Sequence, residues 1–235
     1  MKADCQEQKE KLSAVSVVIP TLNVATLLPP LLAALAAEAV GEVILADGGS
    51  ADGVAFLPAR LIKTDPGRGG QLAAGGTAAT GDWLLFLHAD TRLEAGWAAA
   101  LRTAMNHPGR AAYFRFALDD DSQPARRLEA MVAWRCRWLA LPYGDQGLFI
   151  SRALYESLGG FRPIPLMEDV ELIRRIGRAR LTALDIRAVT SAERWRRDGW
   201  WGRSARNVTI LTLWFCGLSP QRLAKIYQWS APAKK

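Results

Sequence analysis

Several short stretches of this sequence set acidic, basic and glycine residues at spacings that could do chemistry. Asp47-Gly-Gly-Ser50-Ala-Asp52-Gly53 places a carboxylate beside glycines, Gly49 among them, that permit close backbone approach or a positive φ. Asp47 could accept hydrogen bonds from a base or a ribose, although Asp-Gly is also the commonest turn pair. Arg68-Gly-Gly-Gln71 opens a stretch rich in Ala and Gly. There Arg68 could pair bidentately with phosphate beside the positive end of a helix, or cap a tight loop. Phe86-Leu-His88-Ala-Asp90 ends an apolar run in a carboxylate that could hold Mg²⁺ or Mn²⁺. His88 alternates to the same side, as a metal ligand or, more commonly for such a residue, a packed core histidine. Glu168-Asp169 follows Pro163 and Pro165. Either carboxylate could serve as a general base, and either would also suit a helix first turn electrostatically. Asp119-Asp120-Asp121 reads as a solvated turn rather than a metal cluster.

The elements that must position these residues follow from the hydrophobic pattern. Val15–Ile19, Glu42–Ala46, Arg60–Lys63 and Trp83–His88 read as strands. Helices are expected over Thr26–Ala39, with Thr26 as N-cap, and over Arg68–Thr80. Strands alternating with helices predict βαβ units and a mostly parallel sheet. In such sheets ligands sit beyond the carboxyl ends of the strands, where Pro20-Thr21-Leu-Asn23, Asp47-Gly-Gly-Ser50, the 64–70 segment and Asp90 all fall. The second half predicts strands over Ala111–Leu118, Gly147–Ile150 and Leu181–Ile186, with helices over Pro124–Leu141, Arg152–Leu158 and Glu168–Arg178. Two further helices are expected near 203–217 and 220–229, the second opened by Ser219-Pro220. We divide the chain into a polar leader over 1–13, an α/β domain over 14–190 and a basic, Trp-rich helical tail over 191–235, packed on the domain or on a membrane surface.

The chain has 235 residues, half of them hydrophobic, enough for a well-buried core and inconsistent with disorder. Cys5, Cys136 and Cys216 make no metal spacing and no disulfide framework, which fits a reducing compartment. The N-terminus lacks an apolar signal-peptide core, and the longest apolar stretch is too short to span a membrane, so a cytoplasmic protein is expected. Net charge is +7. From Arg187 onward there are 10 basic and 2 acidic residues, whereas the preceding 186 hold 20 and 21. That tail also carries five of the nine tryptophans. Basic residues beside Trp suit an anionic membrane surface or a phosphorylated ligand, so peripheral attachment to the inner face of a membrane is part of the expectation. Nucleic acid is not expected, because the slightly acidic first 186 residues contain the whole candidate pocket.

Taken in order, Val-Val-Ile-Pro-Thr-Leu-Asn, Ala-Asp-Gly-Gly-Ser-Ala-Asp-Gly, Gly-Arg-Gly-Gly-Gln, Gly-Asp-Trp-Leu-Leu-Phe-Leu-His-Ala-Asp-Thr, Gly-Asp-Gln-Gly-Leu-Phe, Gly-Gly-Phe and Met-Glu-Asp-Val-Glu-Leu resemble the motif series of inverting family 2 glycosyltransferases of the GT-A fold. The likeness covers about residues 14–190 and is nearest to a bacterial subgroup described as radical-SAM/selenodomain-associated transferases. It implies that Pro20, Thr21, Asn23, Asp47, Gly49, Arg68 and Gln71 surround the nucleotide, with Asp47 on the base. Asp90 takes the last position of the Asp-x-Asp metal motif, with His88 where the family often has Asp. Asp145 and Gln146 fall near the acceptor and donor sugar. Asp169 becomes the general base, with Glu168 second. Arg194-Trp195 resembles the end of a Gln-x-x-Arg-Trp signature whose Gln is Ser191 here, so processivity is not implied.

The expected activity is therefore metal-assisted transfer of a sugar from a UDP- or GDP-sugar to an acceptor hydroxyl, with lipid linkage of the acceptor suited to the basic tail. Two alternatives stand beside it. A nucleotidyltransferase would carry a Gly-rich, basic loop directly after the first strand, where Pro20-Thr-Leu-Asn23 stands. A non-catalytic, membrane-associated scaffold with a degenerate nucleotide site is the other. A dinucleotide-binding dehydrogenase is disfavoured by the glycine pattern.

Overall fold

A computed structural model of the chain describes residues 12–229. Its centre is an eight-stranded sheet: β1 (Val15–Thr21), β2 (Glu42–Asp47), β3 (Arg60–Lys63), β4 (Trp83–Phe86), β5 (Arg92–Leu93), β6 (Ala111–Leu118), β7 (Leu148–Ser151) and β8 (Leu181–Thr190), in the order β3-β2-β1-β4-β7-β6-β8-β5. β3, β2, β1 and β4 are mutually parallel, β7 runs antiparallel to β4 and β6, and β6 pairs in parallel with β8.

The first strands are apolar along their whole length because both faces are covered. Val17, Ile19, Leu45, Leu85 and Leu87 point to one side, with α1 (Leu28–Ala37) and α3 (Trp97–Ala104). Val18, Ile44, Leu84 and Phe86 point to the other, with α2 (Arg68–Ala78), α5 (Arg152–Ser157) and α6 (Glu168–Ile176). α4 (Gln123–Leu139) forms a third cluster with β6, built on Phe116, Leu128 and Val132.

Register brings the site together. Thr21 pairs with Asp47 and Asp47 with Lys63, so β1, β2 and β3 end at one edge. Phe86 pairs with Leu148, so β4 ends where the turn preceding β7 begins. Leu118 pairs with Thr190, and a hydrogen bond from Thr190 to Asp90 ties the end of β8 to the same edge.

Several expectations need correction. The first helix starts at Leu28, after a 3₁₀ turn over Ala25–Leu27, and its N-cap carries no side-chain bond, so Thr26 is not a cap. Pro29 and Pro30 explain this, since their rings exclude the carbonyls of Ala25 and Thr26 from an α-helical ladder. β4 stops at Phe86 rather than His88, because the chain turns there, closed by Thr91 N–H to the His88 carbonyl. β8 runs on to Thr190, held by β6. β5, α3 and α7 (Glu193–Asp198) carried no expectation. α8 (Trp200–Phe215) begins earlier than expected, and α9 (Pro220–Trp229) opens on the expected proline.

Of the expected leader, residues 1–11 lie outside the described residues, as does Cys5. Leu12 is fully buried in the core, and its carbonyl accepts from Gly41 N–H. Cys136 and Cys216 are unpaired with one another. No helix among the described residues is long and apolar enough to cross a membrane.

Candidate active site

At the carboxyl edge of the parallel strands lies a cleft of about 200 Å³, lined by Pro20, Thr21, Arg68, Gln71, His88, Asp90 and Arg194 among others. One wall is a clasped turn. Asp47 is 5% exposed, and its carboxylate accepts from Thr21 Oγ1 at 3.0 Å, Gly49 N at 3.1 Å, Ser50 N at 2.9 Å and Ser50 Oγ. Burial alone would push this carboxyl up, but those donors, Ser50 foremost, hold it below the usual carboxylate range. Gly49 sits at φ +95°, which a side chain would strain. Asn23, itself at positive φ, takes Ala51 N–H on Oδ1 at 2.9 Å and gives its own N–H to Ser50 Oγ. Asn23, Asp47 and Gly49 thus build the wall from behind and do not line the cleft.

Gln71 lines the cleft but spends its amide nitrogen on the backbone. Its Nε2 donates to the Thr21 and Ala46 carbonyls at 2.7 and 2.8 Å, fastening the start of α2 to the ends of β1 and β2. It is 4% exposed, with its amide nitrogen engaged by the backbone. The helix reaches the sheet because Gly75 leaves no Cβ: one built there would lie 2.3 Å from Val18 Cγ1.

Arg68 joins the cleft to the carboxylates of α6. Its Nε lies 2.8 Å from Glu168 Oε1 and its Nη2 3.3 Å from Asp169 Oδ2. Asp169 also accepts from Gly144 N on Oδ2 at 2.8 Å and from Val170 N on Oδ1 at 2.7 Å. Gly144 leaves room for this arrangement, since a Cβ there would fall 1.9 Å from Arg68 Nη2 and 3.0 Å from His88 Nε2. Burial works against the Arg68 charge, but Glu168, Asp169, Asp145 and Asp90 outweigh it and hold the guanidinium firmly protonated. Burial raises Glu168, against the pull of Arg68 and with the help of the Asp169 charge.

Asp90 and His88 face the cleft together. Asp90 Oδ2 accepts from Thr190 Oγ1 at 3.1 Å. His88 Nε2 is buried without a hydrogen-bond partner, and burial, reinforced by Arg68 and Arg194, pushes its pKa well below the usual histidine value, so the ring is neutral. No group of three or more His, Cys, Asp or Glu among the described residues could hold a metal by itself. A carboxylate with a neutral, unpartnered imidazole nitrogen nearby does fit a Mg²⁺- or Mn²⁺-type ion whose remaining ligands are diphosphate oxygens and water.

The other expected sugar residues are dispersed. Asp145 lies in the 3₁₀ turn Gly144–Gln146, its Oδ1 buried and unpartnered, and burial raises its carboxyl against the pull of Arg135. Gln146 is 2% exposed. Its amide donates to the Phe114 carbonyl and accepts from Tyr143 N and Cys136 Sγ, and it lines a separate cavity beside Cys136. Gln146 therefore holds the turn in place rather than facing the cleft. Trp195 stacks on Trp200, with ring centroids 6.2 Å apart, under Arg203. Tyr143, Thr190 and Asn207 border these spaces without any sequence signal. Each is a single polar residue with no characteristic spacing.

Comparison with known proteins places the chain in a family and a fold. The model of a family described as "Glycosyl transferase family 2" matches residues 16–162. A PGL/p-HBAD biosynthesis glycosyltransferase of Mycobacterium bovis (strain BCG / Pasteur 1173P2) is 44% identical over 91 residues, which cover 33% of this chain and 36% of that protein. The chain thus aligns with about a third of the length of such curated relatives. Glucosyl-3-phosphoglycerate synthase from Mycobacterium tuberculosis, in complex with Mn²⁺, UDP-glucose and glycerol 3-phosphate, superimposes with a TM-score of 0.58 at 19% identity, over 81% of this chain and 75% of that one. S. aureus TarS 1–349 superimposes with a TM-score of 0.61 at 14% identity, over 89% and 68%. At these identities the structures establish the shared fold.

Proposed function

Because this chain is a member of glycosyl transferase family 2, we propose that its cleft binds the nucleotide diphosphate of a UDP-sugar, with GDP as the next choice, and that the sugar passes with inversion to an acceptor hydroxyl. The observation that carries the reading is Arg68. It lines the cleft and touches both Glu168 and Asp169, so the phosphate-binding side and the base lie within one side chain's reach.

In this reading Asp169 takes the proton of the acceptor hydroxyl as the oxygen bonds to the anomeric carbon and the bond to the diphosphate breaks on the opposite side. Gly144 N–H and Arg68 fix the carboxylate's orientation through Oδ2, and Oδ1, which accepts only from Val170 N, keeps a lone pair for the incoming proton. Glu168 is buried, with its Oε1 2.8 Å from Arg68 Nε, and serves to hold Arg68. Arg68 and Arg194 supply positive charge where the diphosphate leaves. Asp90 and His88 would hold a divalent cation, which would offset charge on the leaving diphosphate. The complexes of the mycobacterial synthase with Mn²⁺ and UDP-glucose support that choice of metal and donor. The clasped Asp47 turn shapes the base pocket. Asp145, Arg194 and Trp195 border the sugar and acceptor side, and the basic tail lies against a membrane that carries a lipid-linked acceptor.

Calorimetric titration with UDP and GDP, each with and without Mn²⁺, tests the core of this. We expect metal-dependent binding of one nucleotide, lost in Asp90→Ala. A folded protein that binds neither nucleotide would overturn the reading.

A further inference from the structure

Between α4 and α8 lies a second cavity, of about 420 Å³, within the size range of small-molecule sites. Its walls are almost wholly apolar, from Phe116, Leu128 and Val132 on one side to Val208, Leu211 and Phe215 on the other. It is not a remote hollow. Tyr143 and Asn207 line both this cavity and the pocket around Glu168 and Asp169, so the two spaces share walls.

Among the described residues lining it there is one cation, Arg135, and one acid, Asp145. Arg135 is already committed: Nε donates to the Leu141 carbonyl, Nη2 to Gln146 Oε1, and the guanidinium lies 3.4 Å from the centroid of the Tyr143 ring. Its charge is matched by Asp145, whose carboxyl it pulls down against burial, so the lining carries no net positive charge for a phosphate or carboxylate.

We propose that this cavity is the acceptor-body site, and that the acceptor is an uncharged alcohol with a hydrocarbon body, its hydrocarbon filling the space between α4 and α8 and its hydroxyl lying at the Tyr143 wall, where its one proton remains for Asp169. The proposal rests on the transferase reading above and narrows it. The apolar walls select the body, the matched charges of Arg135 and Asp145 offer nothing to an anionic head, and Tyr143, which lines both spaces, sets the hydroxyl toward Asp169.

Farnesol, used below its aggregation limit with the full-length protein, is the probe. Trp134 and Trp195 line the cavity, so their fluorescence reports occupancy. We expect saturable binding of farnesol, none of glycerol, and at least tenfold weaker farnesol binding in Val208→Glu. Val208 is 54% exposed, so this variant puts a charge at the rim without opening the core. Met131→Glu on the opposite wall, at a residue 47% exposed, is the second variant, and circular dichroism verifies both folds. UDP and GDP titrations are run in parallel. Nucleotide binding with no farnesol binding, or with farnesol binding unchanged in both variants, overturns the acceptor-body site and leaves the transferase reading standing. Failure of both nucleotides overturns the transferase reading and the acceptor assignment with it.

Discussion

Asp169 receives hydrogen bonds from Gly144 and Val170 and an ion pair from Arg68, so an asparagine could occupy the same place but could not accept the acceptor proton. Asp169→Asn is therefore expected to lower turnover by about 10²–10⁴-fold, the usual range for a lost general base, with nucleotide affinity unchanged. Turnover at the wild-type level in that variant, with UDP bound normally, would remove Asp169 from the role. Gly144→Ala makes a different demand. The new methyl would meet the movable end of Arg68 rather than backbone, so the fold should tolerate it with little loss of Tm. Arg68 must leave the carboxylates to make room, so activity should fall at least tenfold; an alanine variant with full activity would show that the Arg68–Asp169 arrangement is dispensable. Residue types in the sequence pointed to this neighbourhood, but not to what each amide was doing. Asp47, Gln71 and Gln146 carry the same polar groups whether they face a ligand or close a turn. Only the positions of Thr21, Ala46 and Phe114, distant in sequence, reveal that theirs are engaged within the protein.

The strands and helices that frame the site are anchored at their far ends by Glu42. Its carboxylate accepts from Ser16 at 2.6 Å, from both the N–H and the hydroxyl of Thr80, and from Arg60 at 3.2 Å, tying β2 to β1, β3 and the segment before β4. Burial opposes its ionisation, yet these donors win and hold the carboxyl at about 2 against an ordinary 4.5. A pKa lowered in the folded state favours folding of the ionised form. The stabilisation, about 3 kcal/mol, is complete above pH 4.5 and disappears as pH falls from 4.5 toward 2. Glu42→Gln should therefore lower the urea midpoint at pH 7, and the gap from wild type should close on acidification; a gap of constant size from pH 7 to 3 would refute this. At this scale the sequence was most legible where apolar runs were long, as in β1, β2 and β6, because burial on both faces leaves little ambiguity. Short elements escaped. β5 has two residues and exists only through its pairing with β8, and the α7 segment, with its five charged residues, gains its order from Asp119 and Asp120 rather than from an apolar stripe.

For the molecule as a whole, what lies past β8 is no loose appendage. Ile210 and Leu223 are buried, Arg174 of α6 lies over Trp214 and Phe215, and Arg196 pairs with Asp120. The charge excess was visible from composition, and packing on the domain was one of its two readings; the partners were not visible, because they are acidic residues some 75 positions upstream. Three exposed tryptophans lie on α4 and α8: Trp134 is 58% exposed, Trp138 57% and Trp201 65%. Indole rings and arginines together on these helices are the composition of a membrane-interface surface. Each basic residue near an anionic surface contributes about 1 kcal/mol, and that attraction is screened over about 10 Å at 0.1 M salt. The full chain should therefore sediment with phosphatidylserine-containing vesicles at low salt and largely dissociate as salt rises, with little sedimentation on pure phosphatidylcholine. Trp201→Asp, at an exposed position, should weaken sedimentation several-fold without changing nucleotide affinity. Equal sedimentation on neutral and anionic vesicles, or a Trp201→Asp variant that sediments like wild type, would leave those tryptophans and the C-terminal charge without a membrane role and return the α4–α8 face to soluble acceptors.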